Sequence, residues 1–178
     1  MVLCKRLVGR LDIKGNRLIK GIRFEGLRVI GDPAQAALRY YEDGADELLY
    51  LDVVASLYGR NGLVDLLRCT SRNVFIPVTA GGGIRSVEDA AALLSAGADK
   101  IAVNTAALQR PALITELASA FGKQCVVASI QARRTSSSNW EAMGEAGRER
   151  SGRDVLDWIE RVQELGAGEI LLTSIDQD

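Results

Sequence analysis

A chain of 178 residues that contains no histidine must carry its acid/base chemistry on other groups, carboxylates above all. The same absence removes Ser-His-Asp triads and most zinc sites. Three aspartates then matter most: Asp12, Asp52 and Asp178, each closing an apolar run. Two polar patterns suit an anion. Gly82 and Gly83, within Gly81-Gly82-Gly83-Ile84, lack side chains, so backbone N–H groups can approach and wrap a phosphate. Asn104 and Thr105 add an amide and a hydroxyl as donors. Each has a plainer reading: the glycines as a tight turn, Asn104-Thr105 and the aspartates as helix caps, Lys20 as a solvated lysine rather than a phosphate partner.

Such residues need elements to hold them. Apolar runs of strand length at 3–13, 47–54, 74–78, 100–103, 125–130 and 169–174 alternate with amphipathic segments of helix length, which is βα repetition. Asp32-Pro33 and Ser86-Val87-Glu88-Asp89 mark helix starts, the latter as a capping box. Helix exits recur as Gly44-Ala45-Asp46-Glu47, Gly97-Ala98-Asp99-Lys100 and Gly166-Ala167-Gly168-Glu169, each glycine suited to a left-handed cap before a parallel strand. A longer repeat relates Arg10-Leu11-Asp12-Ile13 to Ile130-Gln131-Ala132-Arg133, and Tyr50-Leu51-Asp52 to Ser174-Ile175-Asp176. The polar stretch 133–153 breaks the rhythm as a loop insertion or hairpin before a helix over 154–165.

The pattern predicts one α/β domain spanning 1–178, a (β/α)₈ barrel of the TIM type with about six of eight units present, in preference to an open doubly wound sheet. Active residues of such barrels sit at the carboxyl ends of the strands. Alternation puts Asp12 on one face with Val8 and Arg10, the barrel interior, and Lys20 in the first βα loop. The balance of 22 basic and 23 acidic residues gives no global field for nucleic acid or an anionic membrane. Cys4, Cys69 and Cys125 read as buried thiols of a cytoplasmic protein.

The segments LDIKGNRLIKG, LLYLDVVAS, VTAGGGIRSVEDA, ADKIAVNTAAL and GAGEILLTSIDQD together closely resemble the cyclase subunit (HisF family) of imidazole glycerol phosphate synthase, over all of the chain but 133–153. The resemblance implies a ribulose-phosphate-binding barrel acting as a lyase in histidine biosynthesis. It implies a glutaminase partner that supplies ammonia, a bis-phosphorylated ribulosyl substrate, and imidazole glycerol phosphate plus aminoimidazole carboxamide ribotide as products, with no metal or organic cofactor. By motif, Asp12 falls on the first catalytic aspartate, Lys20 on the loop lysine, Gly83, Asn104 and Thr105 on a phosphate site, and Thr173 and Asp178 on substrate contacts. Arg6, Glu47, Lys100 and Glu169 fall on a charged ring that gates ammonia at the opposite end, although Glu47 is out of alternation phase with Asp52.

Departures from the family pattern are as informative. Gln131 stands where the family carries its second catalytic aspartate, and an amide cannot exchange a proton as a carboxylic acid does. Arg10 replaces a small interior residue two positions before Asp12, within reach to pair with it or narrow the ammonia path. Barrels of this type need roughly 250 residues, so the 178-residue chain alone is expected to turn over little. Two other readings follow from these departures: an ammonia-using paralogue acting on a surface-glycan sugar, or a catalytically silent phosphate-binding subunit.

Overall fold

The computed structural model describes residues 4–22, 25–55 and 63–177. Its elements in chain order are β1 (Val8–Lys14), β2 (Arg17–Ile22), β3 (Glu25–Gly31), α1 (Pro33–Glu42), β4 (Glu47–Asp52), α2 (Leu63–Thr70), β5 (Val78–Gly81), α3 (Val87–Ser95), β6 (Lys100–Val103), α4 (Thr105–Gln109) and α5 (Ala112–Phe121). They continue with β7 (Val126–Arg134), β8 (Trp140–Gly144), β9 (Glu149–Asp154), α6 (Val155–Leu165) and β10 (Glu169–Ser174). Six strands, β1, β4, β5, β6, β7 and β10, pair in parallel in that order. This is the neighbour-to-neighbour order of the expected barrel, not that of a doubly wound sheet. Among the described residues no ladder joins β10 to β1.

Local chemistry sets the boundaries. Asp32 accepts from Gln35 N–H at 2.9 Å and Pro33 opens α1 with its φ already helical. Ser86 accepts from Asp89 N–H at 3.2 Å to start α3, and Asp154 accepts from Leu156 N–H at 2.8 Å to start α6. Gly44, Gly97 and Gly166 leave their helices at φ of 90°, 117° and 108°, the left-handed exit that the repeated sequence predicted.

Several boundaries differ from the sequence reading. The first strand begins at Val8, not near residue 3, because its ladder starts where Val8 meets Glu47. The third strand lies at Val78–Gly81, later than 74–78, since Pro77 has no N–H to give a ladder. The fifth extends to Arg134, past the expected end at 130, because Gln131 to Arg134 pair with β8. The stretch 133–153 is the hairpin β8–β9 attached to that extension. The first βα connection is a hairpin too: β2 turns back on β1 through Gly15-Asn16, with Lys14 opposite Arg17, and β3 follows. The cysteines are free, but Cys4 and Cys69 are exposed and Cys125 is half-buried, against the expected buried thiols. Cys125 ends a 3₁₀ turn before β7 rather than beginning the strand.

Each parallel strand has two faces. Leu11, Ile13, Leu48, Tyr50, Ala80, Ile101, Ala128 and Ile130 join the main core with Leu67, Leu93, Leu113, Leu117 and Trp158 of the helices. A fully buried leucine there contributes about 1.5–3 kcal/mol, so this layer dominates the packing. The alternate residues Leu49, Leu51, Ala102 and Val127, with Leu171, form a second apolar cluster. Their parity on each strand marks the face turned away from the helices, the barrel interior. Arg10, Asp12, Glu47, Lys100, Ser129, Gln131, Glu169 and Thr173 share that parity. Asp52 falls in phase with Tyr50, which explains why Glu47 and Asp52 are out of step.

Candidate active site

A cavity opens at the carboxyl ends of the parallel strands. Arg10 from β1, Asp52 from β4, Gly82 and Gly83 after β5, Asn104 and Thr105 after β6, and Gln131 from β7 all line it. Residues from five strands thus converge because a parallel sheet puts all its strand exits at one end.

The glycine loop is shaped by close approach. Gly82 has φ +110°, and a Cβ there would lie 2.3 Å from the carbonyl oxygen of Asp52. No other residue fits both demands. The Asp52 carboxylate accepts from Val54 N–H at 3.1 Å within its own turn, and Asp52 also lines the cavity. Burial pushes its carboxyl above the ordinary 3.8, against the opposing effect of hydrogen bonds from the Val54 and Ala55 backbone.

Asn104 and Thr105 are engaged by the β8–β9 hairpin. Asn104 Nδ2 donates to Met143 O at 3.0 Å, and Thr105 Oγ1 accepts from Glu145 N–H at 3.0 Å. Each keeps one donor: the second amide hydrogen of Asn104 and the hydroxyl hydrogen of Thr105. The pair can therefore still present hydrogens to an oxyanion beside Gly82 and Gly83.

Asp12 sits on the interior face of β1, beside the cavity rather than in its wall. It is joined to the cavity by Arg10, whose Nε donates to Asp12 Oδ1 at 2.9 Å and whose Nη1 donates to Thr173 Oγ1 at 3.1 Å. Lys20 is exposed on β2, opposite Arg28 of β3, and does not line the cavity. Asp178 lies outside the described residues.

Among the described residues, two buried side-chain groups are distinguished by lacking partners. Gln131 Oε1 and Glu145 Oε2 are buried oxygens that accept no hydrogen bond, and both residues line this cavity. Glu145 was not singled out in the sequence, because it belongs to the turn of the hairpin, within a stretch lacking helical periodicity. The usable signal was an acid in the turn Gly144-Glu145-Ala146-Gly147, which the structure closes onto Thr105.

At the other end of the strands the four charges meet. Lys100 Nζ donates to Glu169 Oε1 at 2.7 Å and to Glu47 at 3.3 Å, while Arg6 pairs with Glu47 and reaches Glu169 at 3.4 Å. For Glu169, burial raises its carboxyl pKa, but the Lys100 hydrogen bond and the charges of Lys100 and Arg6 outweigh it and hold it below the ordinary 4.5. Glu47, Lys100 and Glu169 are strand-entry residues on the interior face, so the cluster spans the floor of the same interior whose top is the cavity.

Comparison with known proteins agrees with this architecture. The model of the histidine biosynthesis protein family matches residues 6–178. Imidazole glycerol phosphate synthase subunit HisF of Legionella pneumophila is 60% identical over 173 residues, covering 97% of this chain and 82% of the relative. The subunit HisF of Streptococcus sanguinis (strain SK36) is 49% identical over 177 residues, covering 99% and 70%. That of Helicobacter hepaticus (strain ATCC 51449 / 3B1) is 47% identical over 178 residues, covering 100% and 71%. The parallel strands in sequential order, with their interior charges at one end and the cavity at the other, are those of a TIM barrel. The chain belongs to the histidine biosynthesis protein family and, within it, to the HisF subunits of imidazole glycerol phosphate synthase.

Proposed function

We propose that this chain is the cyclase subunit of a cytoplasmic imidazole glycerol phosphate synthase, a lyase that takes ammonia from a glutaminase subunit. It uses the ammonia to convert a bis-phosphorylated ribulosyl precursor into imidazole glycerol phosphate and aminoimidazole carboxamide ribotide. The observation that carries this reading is the axial layout. A ring of paired charges, Arg6, Glu47, Lys100 and Glu169, forms the floor, a largely apolar interior of Leu49, Leu51, Ala102 and Val127 follows with Arg10 and Asp12 of β1 beside it, and the cavity opens at the strand exits. Neutral ammonia crosses an apolar layer far more cheaply than ammonium, whose charge would be desolvated there. The ring is the place for the glutaminase to dock, since opening an entry there needs only rearrangement of mutually neutralised side chains.

At the cavity, backbone N–H groups of Gly82 and Gly83 with the spare hydrogens of Asn104 and Thr105 hold one phosphate. Lys20, from the β2–β3 hairpin, Asp52, Thr173 and Asp178 contact the remainder of the substrate. Asp12 moves the proton, and Gln131 orients the substrate by hydrogen bonding. No cofactor enters this scheme. The test is turnover by the full-length protein given the ribulosyl precursor and excess ammonium salt. Formation of both products is expected, and a precursor left unconsumed by folded protein overturns the reading.

A further inference from the structure

Glu145 and Gln131 line the same cavity, and the strand pairing brings them there. Gln131 on β7 is the ladder partner of Met143 on β8, and Glu145 stands two residues beyond Met143 at the start of the turn. The turn that delivers it is conformationally expensive. Glu145 and Ala146 both adopt positive φ, 46° and 54°, at a cost of roughly 1–2 kcal/mol per non-glycine residue. It is nevertheless pinned. Glu145 N–H donates to Thr105 Oγ1, Arg148 N–H closes the turn onto Gly144 O at 3.0 Å, and Arg133 Nη2 holds Gly147 O at 2.8 Å. A residue whose backbone is held this firmly on a strained turn, with one carboxylate oxygen buried and accepting nothing, is placed against the grain of stability. Residues so placed concentrate at sites of chemistry.

The chemistry fits what the fifth strand lacks. Gln131 supplies an amide at the family's second acid position, and its Oε1 is likewise an acceptor without a donor. Two unpartnered acceptors lining one cavity call for a ligand that brings N–H or O–H hydrogens to them, with its phosphate on the Gly82 side. We propose that Glu145, carried in by the β8–β9 hairpin, is the second acid/base group of this site. Gln131 fixes the substrate's N–H or O–H group, and Glu145 Oε2 takes one proton from it and returns one to the substrate within the same turnover. The carboxylate thus ends each cycle as it began. This inference rests on the cyclase reading and adds a residue to it.

The experiment compares wild-type full-length protein with Glu145→Gln, Glu145→Asp and the double variant Glu145→Gln/Gln131→Asp, using the ribulosyl precursor and ammonium salt across pH. Thermal melts establish that each variant is folded. Glu145→Gln is expected to lower kcat by at least about 100-fold, the lower end of general acid/base contributions, with KM for the precursor within about threefold. One limb of the kcat–pH profile should disappear. Glu145→Asp should retain part of the rate, and the double variant should recover about tenfold or more by restoring a carboxylate to the fifth strand. A folded Glu145→Gln protein with kcat within about threefold of wild type, or with a fall in kcat that leaves both pH limbs intact, overturns the proposal alone. So does a tighter KM at unchanged kcat, which would make the carboxylate a mere obstacle to phosphate. A wild-type protein that forms no product overturns the cyclase reading and this proposal together.

Discussion

The guanidinium of Arg10 bridges Asp12, at 2.9 Å, and Thr173, at 3.1 Å, so that the first and last described parallel strands are tied across the interior by one side chain. Both contacts are half-buried, where directed hydrogen bonds orient a carboxylate more effectively than they do in open solvent. Arg10 therefore acts through Asp12, which makes a double-variant cycle decisive. Asp12→Asn should lower kcat by about 100-fold or more, and Arg10→Ala by about tenfold. The double variant should be no worse than Asp12→Asn, because the positioning has nothing left to position. Additive losses in steady-state kinetics would show that Arg10 works independently.

The floor cluster predicts an acid-sensitive component of stability. A carboxyl held below its ordinary value in the folded state, as in Glu169, contributes stability that is present above about 4.5 and is lost as pH falls through the folded-state value. Lys100→Met removes the largest source of that depression. The variant should be less stable than wild type at pH 7, by about 1–3 kcal/mol for a pair that is only partly buried. The difference should shrink as the solution is acidified. Urea melts at pH 7 and pH 3.5 measure both, and a gap that is constant with pH would contradict the electrostatic account.

Asp52 has the opposite sign. Its folded-state carboxyl lies above the ordinary 3.8, so the stability associated with its neutral form is full below that pH and is lost as pH rises through the folded-state value. Asp52→Asn keeps an oxygen for Val54 N–H while removing the buried charge. It should raise Tm by a few degrees at pH 7, with the gain vanishing near pH 3, and should weaken substrate binding if Asp52 contacts substrate. Thermal melts across that pH range check the first part, and KM for the ribulosyl precursor checks the second.

How much of this could be read in the sequence depends on the range of the interaction. Caps at Asp32 and Ser86 and exits at Gly44, Gly97 and Gly166 are local, and each stands where the residues placed it. The last strand, 169–174, is bounded by such a glycine exit and was legible to the residue. The β1–β2 hairpin was missed although Gly15-Asn16 between Lys14 and Arg17 is a two-residue turn, because the segment after the first strand was read only as a βα loop carrying Lys20. The charged floor was located only through the family, since Arg6 pairs with residues 41 and 163 positions away. Glu145 was invisible for the same reason: its importance lies in Thr105 and Gln131, which local periodicity does not connect to it.

Gly82 joins stability to the site more directly than any charged residue. A methyl group there would lie 2.3 Å from Asp52 O and about 3.0 Å from Asp52 Cβ, and the backbone would remain at φ +110°. Overpacking and left-handed strain are each worth roughly 1–3 kcal/mol, and the rigid neighbour here is backbone that cannot swing aside. Gly82→Ala should therefore lose about 2–4 kcal/mol in denaturant melts. The relief available is to push the loop away from β4, which separates the Gly82–Gly83 N–H groups from Asn104 and Thr105. KM for the phosphorylated precursor should then rise by tenfold or more while the charged floor at the other end stays intact. Ala at 82 with native stability and native KM would mean that the glycine is only a turn residue and that phosphate is held elsewhere.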